Sequence, residues 1–480
     1  MIDYEKIGFK AGLEIHQQLD TGKKLFCRCP SCLRNDKPDF VIRRKLYPVA
    51  GESGEVDIAA RHEASIGRTF IYEAYKDTTC LVELDEEPPH FIDEEALKEA
   101  IKIALLFNCE IYQISQIMRK TVIDGSNTSG FQRTVLIGHS GFLETSFGKV
   151  KIESIALEED SARIIGKDEK SAIYRLDRLG IPLVEISTSP DMNKPEQVKE
   201  TALKIGEILR ACKVKRGIGT IRQDINMSIK GHERVEIKGF QDPSLMILTI
   251  NKEIERQLEE IKNEKVNGEV RYALEDGKTE FLRPLPGKAR MYPETDLSLL
   301  RISREKINEI KKQLPKLRTE IKNELKKKGL SDELISLVLD GNLDEFETLM
   351  KVYDKDANLI AKMVVLWRKE FASKNKKSFE EIKEILNERV FEKILESLKQ
   401  GKITEGEIKS ILAKILEGAE IEDALNTEKV DSNFLEEEII KIVKEKPGLS
   451  INAYMGIIIG KMGNKIDKRK TMEMLRRLVK

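Results

Sequence analysis

The chain has no net charge: 83 basic residues stand against 83 acidic ones across 480 residues. A global attraction to nucleic acid is therefore missing, and any basic patch has to be local. No run of about 18 apolar residues occurs, so no membrane-spanning helix is expected. Six cysteines in a chain of this length are too few for a disulfide scaffold. The opening "MIDYEKIGFK" has no apolar segment of the signal-peptide kind, which makes the cytoplasm the expected location. Familiar nucleotide and hydrolase signatures are also missing. "GIIIGKM" at 456–462 is one residue short of a phosphate loop and lacks its Ser or Thr. No GxGxxG follows a strand, no HExxH occurs, and there is no GxSxG elbow. No internal repeat is visible.

Hydrophobic residues make up 40% of the chain, enough for real cores, and at roughly 100–200 residues per domain the length suggests about two to four domains. Charged residues reach 35%, a leaning toward thermophile-like surfaces. The character changes near residue 300. Before it, Gly, Pro and Thr punctuate alternating runs such as "KVKIESIALEED", "IPLVEIST", "GTIRQDINMSI" and "RVEIKGF", which predict antiparallel strands. Apolar spacing predicts helices over 94–107 and 195–211, the second with Pro195 in its first turn. After residue 300 nearly everything reads as Lys- and Glu-rich helix, with Pro315 marking a start or a kink. The expected architecture is α+β: a mixed domain with antiparallel sheet over 1–296, a helical domain over 297–405, and a small helical tail over 406–480.

"GLEIH" at 12–16 alternates, so Leu13 and Ile15 face one way, Glu14 and His16 the other. An exposed sheet face would explain that pair; a metal or phosphate site would need partners elsewhere. "ALEED" offers Glu158, Glu159 and Asp160 at a strand end, and "PLVEIST" sets Glu185 among apolar neighbours. An unpaired carboxylate there is costly, so Glu185 has either an arginine partner, with Arg175 and Arg178 nearby, or a cation. Oxygen-rich sites with open positions suit Mg²⁺ and substrate phosphates, and His16, Glu159 and Glu185 form such a candidate set. "MRKTVIDGSNTSGFQRT" at 118–134 mixes small residues with cations, as a polar loop or a phosphate cradle would. Its candidate phosphate-binding residues are Arg119, Lys120, Ser126, Asn127 and Ser129. Arg222, Asp224 and Asn226 share one strand face.

Together with "YPVAGESGEVD", "DEEPPH", "YRLDRLGIPLVEIST", "VEIKGFQD" and "RPLPGKARMYPETD", these stretches closely resemble the E-type subunit family of the archaeal glutamyl-tRNA(Gln) amidotransferases, within the wider GatB/GatE family. The related bacterial B-type family shares fewer of these features and stands as the alternative, and a tRNA-binding assembly protein without catalysis is a second. The resemblance implies phosphorylation by ATP of a glutamate esterified to tRNA(Gln), then amidation by ammonia from an asparaginase-like partner, the D-type subunit, in a heterotetramer. It implies His16, Glu159 and Glu185 as Mg²⁺ ligands and Glu14, Glu159, Arg222 and Asp224 as catalytic groups. One departure stands out. The family carries an inserted domain resembling one in bacterial aspartyl-tRNA synthetases before "RPLPG", where this chain has only "NEKVNGEVRYALEDGKTE" at 263–280.

Cys27, Cys29 and Cys32 form C-x-C-x₂-C, a candidate zinc site with Cys80 as fourth ligand, although buried structural cysteines read the same way. From Lys461 to the end there are eight basic and two acidic residues. With the resemblance, Lys461, Lys465, Lys468, Arg469 and Arg476 become candidate tRNA contacts.

Overall fold

The computed structural model describes residues 2–48, 50, 54–240, 242–264, 266–285, 290–425, 432–462 and 468–478. They divide into two compact units, Met1–Leu317 and Arg318–Lys480.

The first unit is organised by one mixed sheet of eleven strands. Its main path uses β1 (Lys10–Gln18), β2 (Met118–Thr121), β3 (Phe131–Thr145), β4 (Gly148–Glu159), β5 (Pro182–Thr188), β6 (Ile221–Ser228), β7 (Val235–Phe240), β8 (Glu269–Ala273), β9 (Thr279–Pro284) and β10 (Met291–Pro293). The spatial order is β9-β8-β7-β6-β1-β5-β4-β3-β2-β10, and Glu110–Ile111 pairs beside β3. Neighbours are antiparallel except β7 and β8, which are parallel. The helix Ser244–Lys262 provides that crossover, since parallel strands need a long connection.

Alternation gives the sheet two unlike faces. Leu13 and Ile15 of β1, Val184 and Ile186 of β5, Ile155 and Leu157 of β4, and Ile225 and Met227 of β6 all enter one buried apolar core. Three helices supply the other half of it: α1 (Glu94–Leu106), α2 (Pro195–Arg210) and α3 (Ser244–Lys262). Asp93 caps α1 by accepting a hydrogen bond from the Ala96 N–H, and Pro195 starts α2, as its fixed φ favours. The opposite face of the sheet carries the polar residues of the same strands.

The ends of the sheet are tied together covalently. Laid flat, ten strands at about 4.8 Å spacing would put β9 about 43 Å from β10. The link from Pro284 to Met291 spans at most about 25 Å at about 3.6 Å per residue, so the sheet has to curl. It forms a cradle, with the polar face inside. A separate four-stranded sheet, Phe40–Arg44, Thr69–Ala74, Arg163–Lys167 and Ser171–Arg175, has its own small core around Tyr72 and Tyr174.

The first unit runs past residue 296. Leu300–Arg301 pairs with Ile114–Ser115, and Ile302 and Ile310 belong to the main core. Pro315 lies between the helices Arg304–Lys311 and Arg318–Lys327. Nor does a new core begin at 406. Ile408, Ile411 and Leu412 pack in the same cluster as Leu334 and Phe391, and the tail's own cluster begins at Leu435. In the helical unit Arg368 is fully buried and donates to both carboxylate oxygens of Glu345, at 2.7 and 2.5 Å. Removing one partner of such a pair would cost about 3–5 kcal/mol. No helix of the described residues is long and apolar enough to cross a membrane.

Candidate functional site

The polar face of the cradle lines a cavity of about 630 Å³, within the size range of small-molecule sites. Sheet register builds it. His16 of β1 lies directly opposite Glu185 of β5 and Arg222 of β6, and Glu14 lies opposite Asp224. Directly opposed residues point to the same side, so these five groups share one face. His16 Nε2 is 3.2 Å from Glu185 Oε2 and 3.6 Å from Glu14 Oε1. From β4 the face receives Glu158. Ligand atoms of His16, Glu158 and Glu185 all lie within 4.8 Å of one another, as do those of Glu14, His16 and Asp224.

The face is charge-rich but ordered. Lys120 of β2 donates to Glu158 Oε1 (2.6 Å) and Glu185 Oε2 (3.1 Å). Lys238 of β7 reaches Asp224 and Glu236, both at 2.5 Å. Arg222 pairs with Asp160 at 3.0 Å. Burial works against the charge on Lys120, but Glu158 and Glu185 outweigh it and raise the lysine pKa. Burial likewise opposes a charged His16; the hydrogen bond and charge of Glu185, with Glu14 and Glu158, reverse this and raise its pKa. Burial and the Glu185 charge push Glu14 up to about 7, with His16 and Lys238 pulling the other way. Among the described residues, His16 Nδ1 is buried without a hydrogen-bond partner. Glu14, Glu158 and Glu185 surround the His16 imidazole, with Lys120 and Lys238 as the cations against them.

The sequence profile of the GatB/GatE catalytic domain matches residues 9–308. The chain belongs to the GatB/GatE family. The E-type subunit of a glutamyl-tRNA(Gln) amidotransferase from Methanocaldococcus jannaschii is 38% identical over 630 aligned positions, covering 100% of this chain and 99% of the relative. Proteins of the same name from Methanothermobacter thermautotrophicus (36%, covering 92% of each chain) and Pyrococcus furiosus (35%, covering 96% of this chain and 94% of the relative) are also similar. The first alignment is longer than the chain, so that relative carries residues absent here. Here residues 269–284 form the β8–β9 hairpin.

The structure separates several residues that the GatB/GatE resemblance groups together. Glu159 does not join His16 and Glu185. It follows Leu157 in the alternation and so turns to the opposite side, where Arg133 binds it through the backbone N–H (3.0 Å) and Nη1 (3.2 Å). Glu158, one residue earlier, takes the position at the cation group. Of the candidate phosphate ligands, Lys120 and Ser126 line the cavity. Arg119 sits on the reverse face, on Glu294 (2.5 Å) and Asp296 (3.1 Å). Asn127 and Ser129 border a void of about 20 Å³ with Glu159 and Arg133, room for about one water. Gly125 serves packing: its φ is +91°, and a Cβ there would collide with the Phe70 ring.

Cys27, Cys29 and Cys80 converge with Glu83, not with Cys32, which is exposed and outside the group. Hydrogen bonds from Cys27 and Cys29 lower the Cys80 pKa, and Lys24 Nζ holds Glu83 at 2.7 Å. In the tail, Lys461 is paired with Glu438 at 2.9 Å and Arg476 is exposed. Lys465 and the side chains of Lys468 and Arg469 lie outside the described residues. Sequence reasoning missed Glu158 in the cation group, and Glu236 and Lys238 as cavity groups. "EIK" at 236–238 carried the signal, an acid and a base two apart on a predicted strand.

The His16 environment can be read directly, because the chain has only five histidines. In an NMR titration His16 should titrate above the ordinary histidine value of about 6.5. Its stabilising effect is fully present below that unfolded value and is lost as pH rises through the folded one. Glu185→Gln should bring the His16 titration down, and an unmoved value would show that the pairing does not govern it.

Proposed function

We infer that this chain is the component of a glutamyl-tRNA(Gln) amidotransferase that phosphorylates and then amidates the tRNA-bound glutamate. Family membership supports the overall reaction, and the convergence of His16, Glu158, Glu185 and Lys120 in the cradle supports the chemistry at this site. A carboxylate is a poor acyl donor at neutral pH, so it needs a leaving group. In the first step a side-chain oxygen of the glutamate attacks the γ-phosphorus of ATP, the bond to the bridging oxygen breaks, and ADP departs. In the second, ammonia attacks the acyl carbon, the carbon–nitrogen bond forms, inorganic phosphate leaves and a proton is released.

The donor set fits a hard divalent cation: carboxylate oxygens predominate, with the His16 imidazole beside them. A magnesium ion held by His16, Glu158 and Glu185 would offset phosphate charge during transfer. Lys120 and Arg222 place fixed positive charge beside it, and Asp224 orients Lys238. The relatives are named as subunits, which supports assembly with a partner; the proposed reaction assigns that partner as an ammonia-supplying D-type subunit, in a heterotetramer. The exposed Arg476 and Arg477 of the tail support contact with the tRNA backbone. The three convergent thiols, with Cys80 inclined to the thiolate, support a bound zinc ion.

Transfer of the γ-phosphate from labelled ATP to Glu-tRNA(Gln) should be lost in Glu158→Gln, by about a hundredfold or more if one cation ligand is removed. Glu159→Gln should lose far less of that transfer. The reverse ranking would move the cation to the other face of the sheet. Without residues 432–480, tRNA affinity should weaken, and the slope of log affinity against log salt should fall by about 0.7–0.9 for each phosphate that the tail no longer neutralises. Unchanged affinity and slope would reject the tail contact. Elemental analysis should find zinc in wild type and in Cys32→Ser but not in Cys29→Ser; zinc-free wild-type protein would remove that site.

A further inference from the structure

Cations in the cradle fall into two groups. Lys120, Lys238 and Arg222 are each held by carboxylates, in five ion pairs. Arg283 and Arg290 also line the cavity, yet among the described residues neither has an ion pair within 4 Å, and nor does Arg234, exposed at the rim. Among the described residues, Arg290 Nε donates to the Thr121 carbonyl alone, at 3.3 Å. Arg283 lies on β9 opposite Val270, which lies opposite Glu236 of β7, so the polar face continues to Arg283. The two arginines stand at the ends of the link that joins the sheet's two edges.

Such a pair is unfavourable without an anion. Burial, followed by the like charge of Arg283, lowers the Arg290 pKa, although Glu158, Asp57 and Glu236 pull the other way. The Arg290 charge also bears on Lys120, the neighbour of Thr121 on β2, so Arg290 stands beside the cation group. Two guanidinium forks left unpaired beside a cavity suit phosphate oxygens, which accept paired N–H donors.

We propose that Arg283 and Arg290 form a phosphate-binding subsite that grips the polyphosphate of the nucleotide, beside His16, Glu158 and Glu185. This assignment rests on the proposed phosphorylation reaction. One cavity then holds carboxylates and an imidazole for a cation together with two arginines for phosphate oxygens. Among the described residues neither arginine has a carboxylate partner, which would compete with the ligand.

The test uses Arg283→Met and Arg290→Met in the complex with the ammonia-supplying partner. Each variant should bind inorganic pyrophosphate and ADP about tenfold more weakly and raise the KM for ATP similarly. Adenosine binding, Mn²⁺ affinity and the KM for Glu-tRNA(Gln) should stay near wild type. Lysine at either position should recover part of the loss. Thermal stability without ligand should hold or rise, because a like-charge contact is relieved, while the stabilisation by ADP should shrink. A fall in ligand-free stability with unchanged pyrophosphate affinity would overturn the subsite and leave the arginines structural. A loss confined to Glu-tRNA(Gln) would overturn it too, by assigning the arginines to the terminal tRNA phosphates. If wild type binds pyrophosphate through these arginines yet transfers no phosphate to Glu-tRNA(Gln), the reaction fails and the anion site stands.

Discussion

The cavity depends on one register, the antiparallel pairing that sets His16 opposite both Glu185 and Arg222. Because strand side chains alternate with a period of two, a slip of one residue on β1 would carry Glu14 and His16 into the core and Leu13 and Ile15 into the cavity. The core guards against this. Leu13 and Ile15 are almost completely buried among α2, α3 and the neighbouring strands, and exposing both would cost several kcal/mol at about 1.5–3 kcal/mol each. The apolar face of the sheet thus holds the chemical face in place.

The same alternation decides the roles of adjacent acids. Glu158 and Glu159 differ by one position and end up on opposite faces. One meets Lys120 and the His16–Glu185 pair; the other meets Arg133 within the Arg133–Glu294–Arg119 network behind the sheet. Burial raises the pKa of Glu159 against the pull of Arg133, whereas Lys120 and His16 overcome burial and hold Glu185 well below the ordinary carboxylate range. On the cavity side Lys120, Lys238 and Arg222 are paired with carboxylates, whereas among the described residues Arg283 and Arg290 have no ion pair within 4 Å.

Much of this was legible in sequence. The strands around "GLEIH", "PLVEIST" and "RQDINMS" and the helices at 94–106 and 195–210 follow from apolar spacing, and the family follows from its ordered motifs. The choice between Glu158 and Glu159 was harder, because three acids in a row hide the phase at a strand end; only Ile155 and Leu157 just before them carry it. Glu83 could not be placed beside Cys27, Cys29 and Cys80 by spacing, since the tertiary fold alone brings residue 83 to residue 27. The curl of the sheet was equally hidden: it follows from the short link between strands at opposite edges, and the strand order is a long-range property.

An anomalous-diffraction map of the complex, soaked with Mn²⁺ and a non-hydrolysable ATP analogue, tests the account most directly. It predicts a manganese peak at coordination distance, about 2.0–2.3 Å, from ligand atoms of His16, Glu158 and Glu185, with the terminal phosphate between that peak and Lys120. A peak coordinated by Glu159, or a nucleotide bound outside the cradle, would contradict it.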